Sequence, residues 1–301
     1  MSSPPSPLIV VALGGNAISP PRGDLSLAVE QLAIANAVAE ISALARAGAR
    51  LLLVHGNGPQ VGRLLAAPGL GDVARLDVHV AQTQGEIGYL LATALDAQLG
   101  DHASVALVTR VVVDAADPAF AAPTKPVGAV LAHKPDGLAA VLAPDGSGWR
   151  RVVASPRPLA VLEQAAIATL LVAHHVIAGG GGGVALAHSG NAYIPQPAVV
   201  DKDYVAALLA VALDAAQLLF VTDVAHAFDR FGDRTQQPID RMSIAQARVR
   251  LAGGAFAPGS MAPKIESAVQ FVSATRRPAL ITTLGAVAAA CRGQSGTIIE
   301  P

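Results

Sequence analysis

The chain has 301 residues, enough for one large domain or two ordinary ones. Apolar residues make up 52% and charged ones only 14%, well under the roughly 25% charged share of average soluble domains, so much of the chain has to be interior or subunit interface. A formal net charge of −1 gives no reason to expect nucleic acid or an anionic membrane surface as partner. The single cysteine, Cys291, excludes an internal disulfide and any multi-cysteine metal site.

The opening MSSPPSP has no basic residue before the first apolar run, and that run breaks at glycine after six residues. Neither a signal peptide nor a membrane span is expected, and the chain reads as cytoplasmic. The run itself, LIVVAL at residues 8–13, is the pattern of a strand buried on both faces of a parallel sheet. Gly14, Gly15 and Asn16 follow it. In open parallel sheets ligands bind beyond the carboxyl ends of strands, so this turn is expected to form one wall of an active site.

Leu27, Leu32, Ile34, Ile41 and Leu44 give residues 25–47 a helical period, closed by Gly48. Residues 50–54 are a second apolar run, emptying into a polar glycine loop, HGNGPQVG at 55–62. Strand, helix and strand make a right-handed βαβ unit. Residues 73–99 read as a helix carrying AQTQGEIGYL, and 104–108 and 111–113 as strands.

From 114 to 158 the composition changes. Prolines 118, 123, 126, 135, 144, 156 and 158 fall there with Gly128, Gly137, Gly146 and Gly148, a density that long helices do not survive. Apolar runs at 127–132 and 138–143, split by HKPDG, predict a β-hairpin within a small lid set between two α/β portions. Beyond it come a predicted helix at 159–173, a strand at 175–178 and five glycines, Gly179 to Gly183. An amphipathic helix at 204–213 is preceded by Asp201, Lys202 and Asp203. A strand at 218–222, a polar stretch at 223–240, a helix at 243–252 and the segment GGAFAPGSMAPK lead into another helix with Met261, Ile265, Ala268, Val269 and Val272 on one face. The chain closes with strand, helix and strand at 279–282, 284–291 and 297–299, and no repeat of fixed period is present.

Gly180, Gly182 and Ala185 fit the G-x-G-x-x-A dinucleotide fingerprint, and Asp201 lies 21 residues past Gly180. That fingerprint requires a helix after the glycines, and Gly190, Pro195 and Pro197 forbid one here. The glycines still present backbone N–H groups suited to phosphate oxygens. No G-x-x-x-x-G-K-[ST], G-x-S-x-G or HExxH occurs, which excludes the P-loop, the ordinary nucleophile elbow and the commonest zinc helix. No protein-bound metal is expected beyond a magnesium ion carried by a nucleotide. His174 and His175 read as structural. Lysine is scarce, yet Lys125, Lys202 and Lys264 all sit at rigid turns or helix starts. Phosphoryl transfer needs little beyond positioning and positive charge around the moving group, and Asp203 stands beside Lys202 to orient such lysines.

GGNAI, HGNGPQVG, QTQGEIGY, PTKPVG, WRRVV, GGGG, VDKD, TDV and FAPGSMAPK follow one another along essentially the whole chain. In that order they resemble the carbamate kinase family of the amino acid kinase superfamily. The resemblance implies a three-layer αβα sandwich with a mainly parallel central sheet, a protruding lid and a homodimer. It implies reversible phosphoryl transfer between ATP and carbamate, with Mg2+ accompanying ATP or ADP. Residues 1–158, with the lid at about 114–158, would bind carbamate, and 159–301 the nucleotide. By motif, Gly14, Gly15, Asn16, Gly56 and Asn57 would surround carbamate and the phosphoryl group. Lys125 would reach in from the lid, Lys202 and Lys264 would neutralise phosphates, and Asp203 would organise them. Gly180, Gly181, Thr222, Asp223, Ala257, Pro258, Gly259, Ser260 and Met261 would lie near the nucleotide.

Many superfamily relatives carry a lysine two residues before the paired glycines; here the position is Ala12, which suits a carbamate kinase whose lid lysine substitutes. YIPQPAVVDKD lacks the family's glycine-glutamate approach, and TDVAHAFDRFG replaces a tyrosine- and asparagine-bearing stretch near adenine. A kinase of another small carboxylate or carbamate-like acid, and a non-catalytic nucleotide sensor, stand as alternatives.

Overall fold

Alternate residues of the first strand, β1 (Leu8–Leu13), enter two different cores. Val10 and Ala12 pack with helices on one side of the sheet, and Val11 and Leu13 with helices on the other, all four with no exposed surface. This two-sided burial is what an unbroken apolar run requires. The computed structural model describes residues 6–18, 26–67, 69, 72–100, 103–135, 137–143 and 146–301, with the side chains of Asn16 and Ala129 outside that description.

After β1 come a single helical turn α1 (Gly15–Ile18), α2 (Leu27–Arg46), β2 (Arg50–His55), α3 (Gly58–Ala66), α4 (Leu76–Leu99), β3 (Ser104–Ala106) and β4 (Arg110–Val113). The lid supplies β5 (Lys125–Leu131), β6 (Ala140–Leu142) and β7 (Trp149–Val153). Then follow β8 (Pro158–Val161), α5 (Gln164–Leu170), β9 (His175–Ile177), β10 (Val184–Ser189), β11 (Ala192–Pro195), α6 (Lys202–Ala212) and β12 (Gln217–Thr222). The chain ends through β13 (Ala227–Asp229), β14 (Gln237–Ile239), β15 (Arg241–Ser243), α7 (Ile244–Ala252), α8 (Met261–Thr275), β16 (Ala279–Thr283), α9 (Val287–Cys291) and β17 (Thr297–Glu300).

The central sheet has the order β15-β17-β16-β12-β1-β2-β9-β3. Every pairing in it is parallel except β16 with β17. Helices α6 and α8 cover one face through Val205, Leu209, Ile265, Phe271 and Val272. Helices α2, α4 and α9 cover the other through Ile34, Val38, Ile41, Ile87, Leu91 and Val287. The three-layer sandwich with a mainly parallel sheet is therefore present. Helix α2 is long and apolar enough to cross a membrane by length and composition, but Ile34, Ala37, Val38 and Ile41 are buried within the fold.

Three expectations are corrected. The loop expected at 55–62 is only Gly56 and Asn57, because Asn57 stands at the N-cap and Pro59 in the first turn start α3 at once. The helix expected at 159–173 is strand β8 followed by the short α5; Val161 pairs with Val111, a long-range partner that local periodicity does not see. The lid hairpin expected between 127–132 and 138–143 does not pair with itself. Both β5 and β6 lie antiparallel to β7, with Val127 and Ala140 flanking Arg151. Where no element was expected, β10 and β11 form a hairpin closed at Ser189 and Ala192, and its two-residue Gly190-Asn191 turn is a legible hairpin signal.

Candidate active site

Three strand ends build the floor of a cleft of about 300 Å³. At the end of β1, the Gly14 N–H donates to the Val221 carbonyl at 2.8 Å, and at the end of β2 the Gly56 N–H donates to the Leu13 carbonyl at 3.0 Å. The two turns touch: a Cβ on Gly56 would stand 3.1 Å from the Gly15 nitrogen. Past β9, a Cβ on Gly180 would lie 2.2 Å from the His55 ring, and one on Gly181, at φ +60, 2.0 Å from the Asn57 amide. A side chain at Gly180 or Gly181 would force its neighbours to shift, and one at Gly56 would be a tight fit. The Asn57 side chain is held from behind, donating to Thr83 Oγ1 at 2.9 Å.

Cationic groups close over this floor. Three of the chain's four lysines, Lys125, Lys202 and Lys264, line the cleft together with Arg150 and the acids Asp201, Asp203 and Asp223. Asp203 bridges two lysines, accepting from Lys202 Nζ at 2.5 Å and from Lys264 Nζ at 3.1 Å. Asp201 caps α6 by accepting the Asp203 N–H at 3.0 Å, and its other oxygen takes Lys125 Nζ at 2.5 Å. The lid lysine therefore arrives from β5 onto the helix that carries Lys202.

The electrostatics follow from crowding. Burial pushes Asp201 up, but the ammonium groups of Lys125 and Lys202 and the two donated hydrogen bonds outweigh it and hold the carboxyl well below the usual range. Burial drives Lys202 down, and the neighbouring charge of Lys264 adds to the effect. Lys264, although burial works against it, is carried upward by Asp203, Asp201 and Asp223. Burial lowers Arg150 as well. His55, fully enclosed under the glycines, falls from 6.5 to about 4, mainly through burial. It is neutral, and since a carbonyl can only accept, Nδ1 carries the proton that it donates to the Gly56 carbonyl at 2.9 Å.

Of the residues singled out from sequence, Gly14, Gly15, Gly56, Asn57, Lys125, Gly181, Lys202, Asp203, Thr222, Asp223, Gly259, Ser260 and Lys264 line this cleft. The Asn16 side chain lies outside the described residues. Gly180 backs onto His55 rather than the cavity. Pro258 and Met261 are not among its lining residues, and Ala257 lines a second depression with Asp229, Arg230, Phe231, Gly254 and Ala255. Sequence reasoning passed over Asp201, Arg150 and His55 as site residues. Asp201 was detectable, since an aspartate immediately before a helix is an N-cap and its free oxygen needs a partner. No cluster of three metal-ligating side chains exists among the described residues. Of the three carboxylates on the cleft wall, Asp201 and Asp203 pair with lysines, so a divalent ion arriving on a nucleotide would meet Asp223 there.

The chain is similar to known proteins in sequence and in fold. The profile of the amino acid kinase family matches residues 7–283. The chain is 38% identical over 308 residues to a carbamate kinase of Lentilactobacillus hilgardii, covering 97% of this chain and 96% of that one. It is 40% identical over 291 residues to carbamate kinase 1 of Enterococcus faecium, covering 92% and 93%. Among solved structures, the Giardia lamblia carbamate kinase bound to AMP-PNP superposes with a TM-score of 0.88 at 31% identity over 98% of each chain.

Proposed function

The chain belongs to the amino acid kinase family, among its carbamate kinases, and from that premise we propose how its cleft works as a phosphotransferase. It transfers a phosphoryl group reversibly between ATP and carbamate, giving ADP and carbamoyl phosphate. The observation that carries the mechanism is the convergence of Lys125, Lys202 and Lys264 on a glycine-walled cavity, with Asp203 accepting from two of them.

Carbamate lies against the backbone N–H groups of Gly14, Gly15, Asn16, Gly56 and Asn57, and Lys125 covers it from the lid. Lys202 and Lys264 spread charge over the oxygens of the phosphoryl group in flight, where fixed cations matter most because they need no reorganisation. Asp203 aims both ammonium groups and opposes the effect of burial on their charge. Transfer is in line, with no covalent enzyme intermediate. Ala12 is buried in β1, so the charge other superfamily members place there is supplied by Lys125. Gly180, Gly181, Thr222, Asp223 and the loop from Ala257 through Pro258, Gly259 and Ser260 to Met261 hold the nucleotide. Its base points toward the depression beside Phe231. A magnesium ion carried on the nucleotide would neutralise phosphate charge, and Asp223, which lines the cleft, is the acid we assign to it.

We assign the acceptor to residues 1–158, lid included, and the nucleotide to 159–301. The division is by ligand, because β9 lies between β2 and β3 in the sheet. A cytoplasmic homodimer acting in arginine metabolism accords with this reading. A coupled assay of ATP formation from carbamoyl phosphate and Mg-ADP tests it: steady turnover is expected. Calorimetric ATP binding without turnover on any acid acceptor would instead make the chain a nucleotide sensor.

A further inference from the structure

The lid leaves the body after β4 and returns to β8 through residues 154–157. At that return, side chains from three elements meet outside the cleft. The Arg157 guanidinium lies 3.7 Å from the centre of the Tyr204 ring, and its Nη2 pairs with the Glu266 carboxylate. The Tyr204 hydroxyl donates to the same carboxylate at 2.8 Å. Tyr204 follows Asp203 directly on α6, and Glu266 stands two residues beyond Lys264 on α8. The Arg157 N–H also donates to Asp117 Oδ2 at 2.9 Å, and Asp117 caps the turn Pro118–Phe120 on the lid's outgoing arm. Both arms are thereby tied to one another and to the helices bearing Lys202 and Lys264.

We propose that Arg157, Tyr204 and Glu266 form a latch that positions the lid lysine, Lys125, relative to Lys202 and Lys264. The proposal rests on the reading of the cleft as a phosphotransfer site. None of the three residues lines the cavity, so they act through Lys125 and not on substrate. The mechanical link is short. Lys125 pairs across the lid sheet with Val153, four residues before Arg157. Between them, Ala154 bridges Ala198 on the segment leading into α6. A shift at Arg157 therefore reaches Lys125 through one strand pair. The Arg157 side chain is 56% exposed and that of Glu266 35%, and ion pairs so open to water add little to overall stability. What the cluster supplies is direction: the ring face and the carboxylate fix two sides of a planar guanidinium, which a lysine cannot reproduce.

The test measures Arg157→Gln and Arg157→Lys beside the wild type in two ways. In amide hydrogen exchange without substrate, faster exchange at 125–131 and 149–153 is expected in Arg157→Gln, with an unchanged melting temperature. In kinetics, KM for carbamoyl phosphate is expected to rise about five- to twentyfold while KM for Mg-ADP stays within about twofold. Arg157→Lys is expected to recover only part of this, and Arg157→Gln should add nothing in a Lys125→Ala background. Unchanged lid exchange overturns the latch, as does a parallel loss for both substrates accompanied by a lowered melting temperature. A wild type that ignores carbamoyl phosphate sinks the functional reading alone, since the exchange measurement still decides the latch.

Discussion

Lys264 is 8% exposed, yet its neighbours keep it charged. A buried ammonium survives only where carboxylates compensate its lost hydration, and Asp203 at 3.1 Å supplies that. Such a preorganised charge acts on a transition state and contributes little to substrate binding. Lys264→Ala is accordingly expected to lose on the order of 10²–10³ in kcat, the scale of removing one transition-state donor. Steady-state kinetics check it, and near-wild-type turnover would remove Lys264 from the mechanism. His55 makes a different prediction. Its folded value of about 4 lies below the 6.5 of the unfolded chain, so in that window the unfolded chain binds the extra proton. Stability is then fully present above about pH 6.5 and drains as the pH falls to about 4, by on the order of 3 kcal/mol. Urea midpoints across this range, compared with those of His55→Gln, should show the variant to be the flatter by that difference. The positions of Lys125 and Lys264 at rigid turns or helix starts were legible in sequence. Their ion-pair partners, 61 and 76 positions apart, were not.

Among elements, the lid shows most clearly what position demands. Helix α3 and strand β5 cross so closely that a Cβ on Gly62 would stand 2.3 Å from the Gly128 Cα, and Gly128 itself sits at φ +75. Arg150 Nη2 donates to the Gly128 carbonyl at 3.2 Å from the neighbouring strand. Backbone against backbone leaves no flexible side chain to move aside. Gly62→Ala should therefore lift β5 from α3 and carry Lys125 with it. An overpacking cost of about 1–3 kcal/mol is expected, together with a loss of at least about tenfold in kcat/KM for the acceptor. Denaturant titration and kinetics on one preparation check both; wild-type catalysis would show that the contact does not place the lid. The prolines and glycines of 114–158 announced a β-rich excursion without long helices. They did not say that β7 would take the middle place, because strand order is settled by long-range pairing and not by local pattern.

Across the molecule, the cleft sets one charge excess against many donors. Four cationic side chains face three acids there, so an anion is needed to complete it. Ligand binding to the folded state alone raises stability by mass action. Mg-ADP at a hundredfold excess over its Kd should thus add about 2.7 kcal/mol. Thermal or urea unfolding with and without the nucleotide checks this, and no shift would show that Mg-ADP does not bind the folded chain.

Several features were determined by the sequence alone. Apolar runs ending in glycine dictated buried parallel strands with ligand-facing turns, since a backbone without side chains is what lets ligand approach. Helical periods dictated the flanking layers, and the glycine turns with Lys125, Lys202 and Lys264 pointed to phosphate handling. Tertiary structure alone decided which strands became neighbours and which carboxylate met which lysine. It also brought Asp201 to the cleft wall, His55 beneath Gly180, and Arg157, Tyr204 and Glu266 together where the lid returns. The reason is physical: periodicity and turn chemistry act over a few residues, whereas ion pairs and strand order depend on packing between segments far apart in the chain.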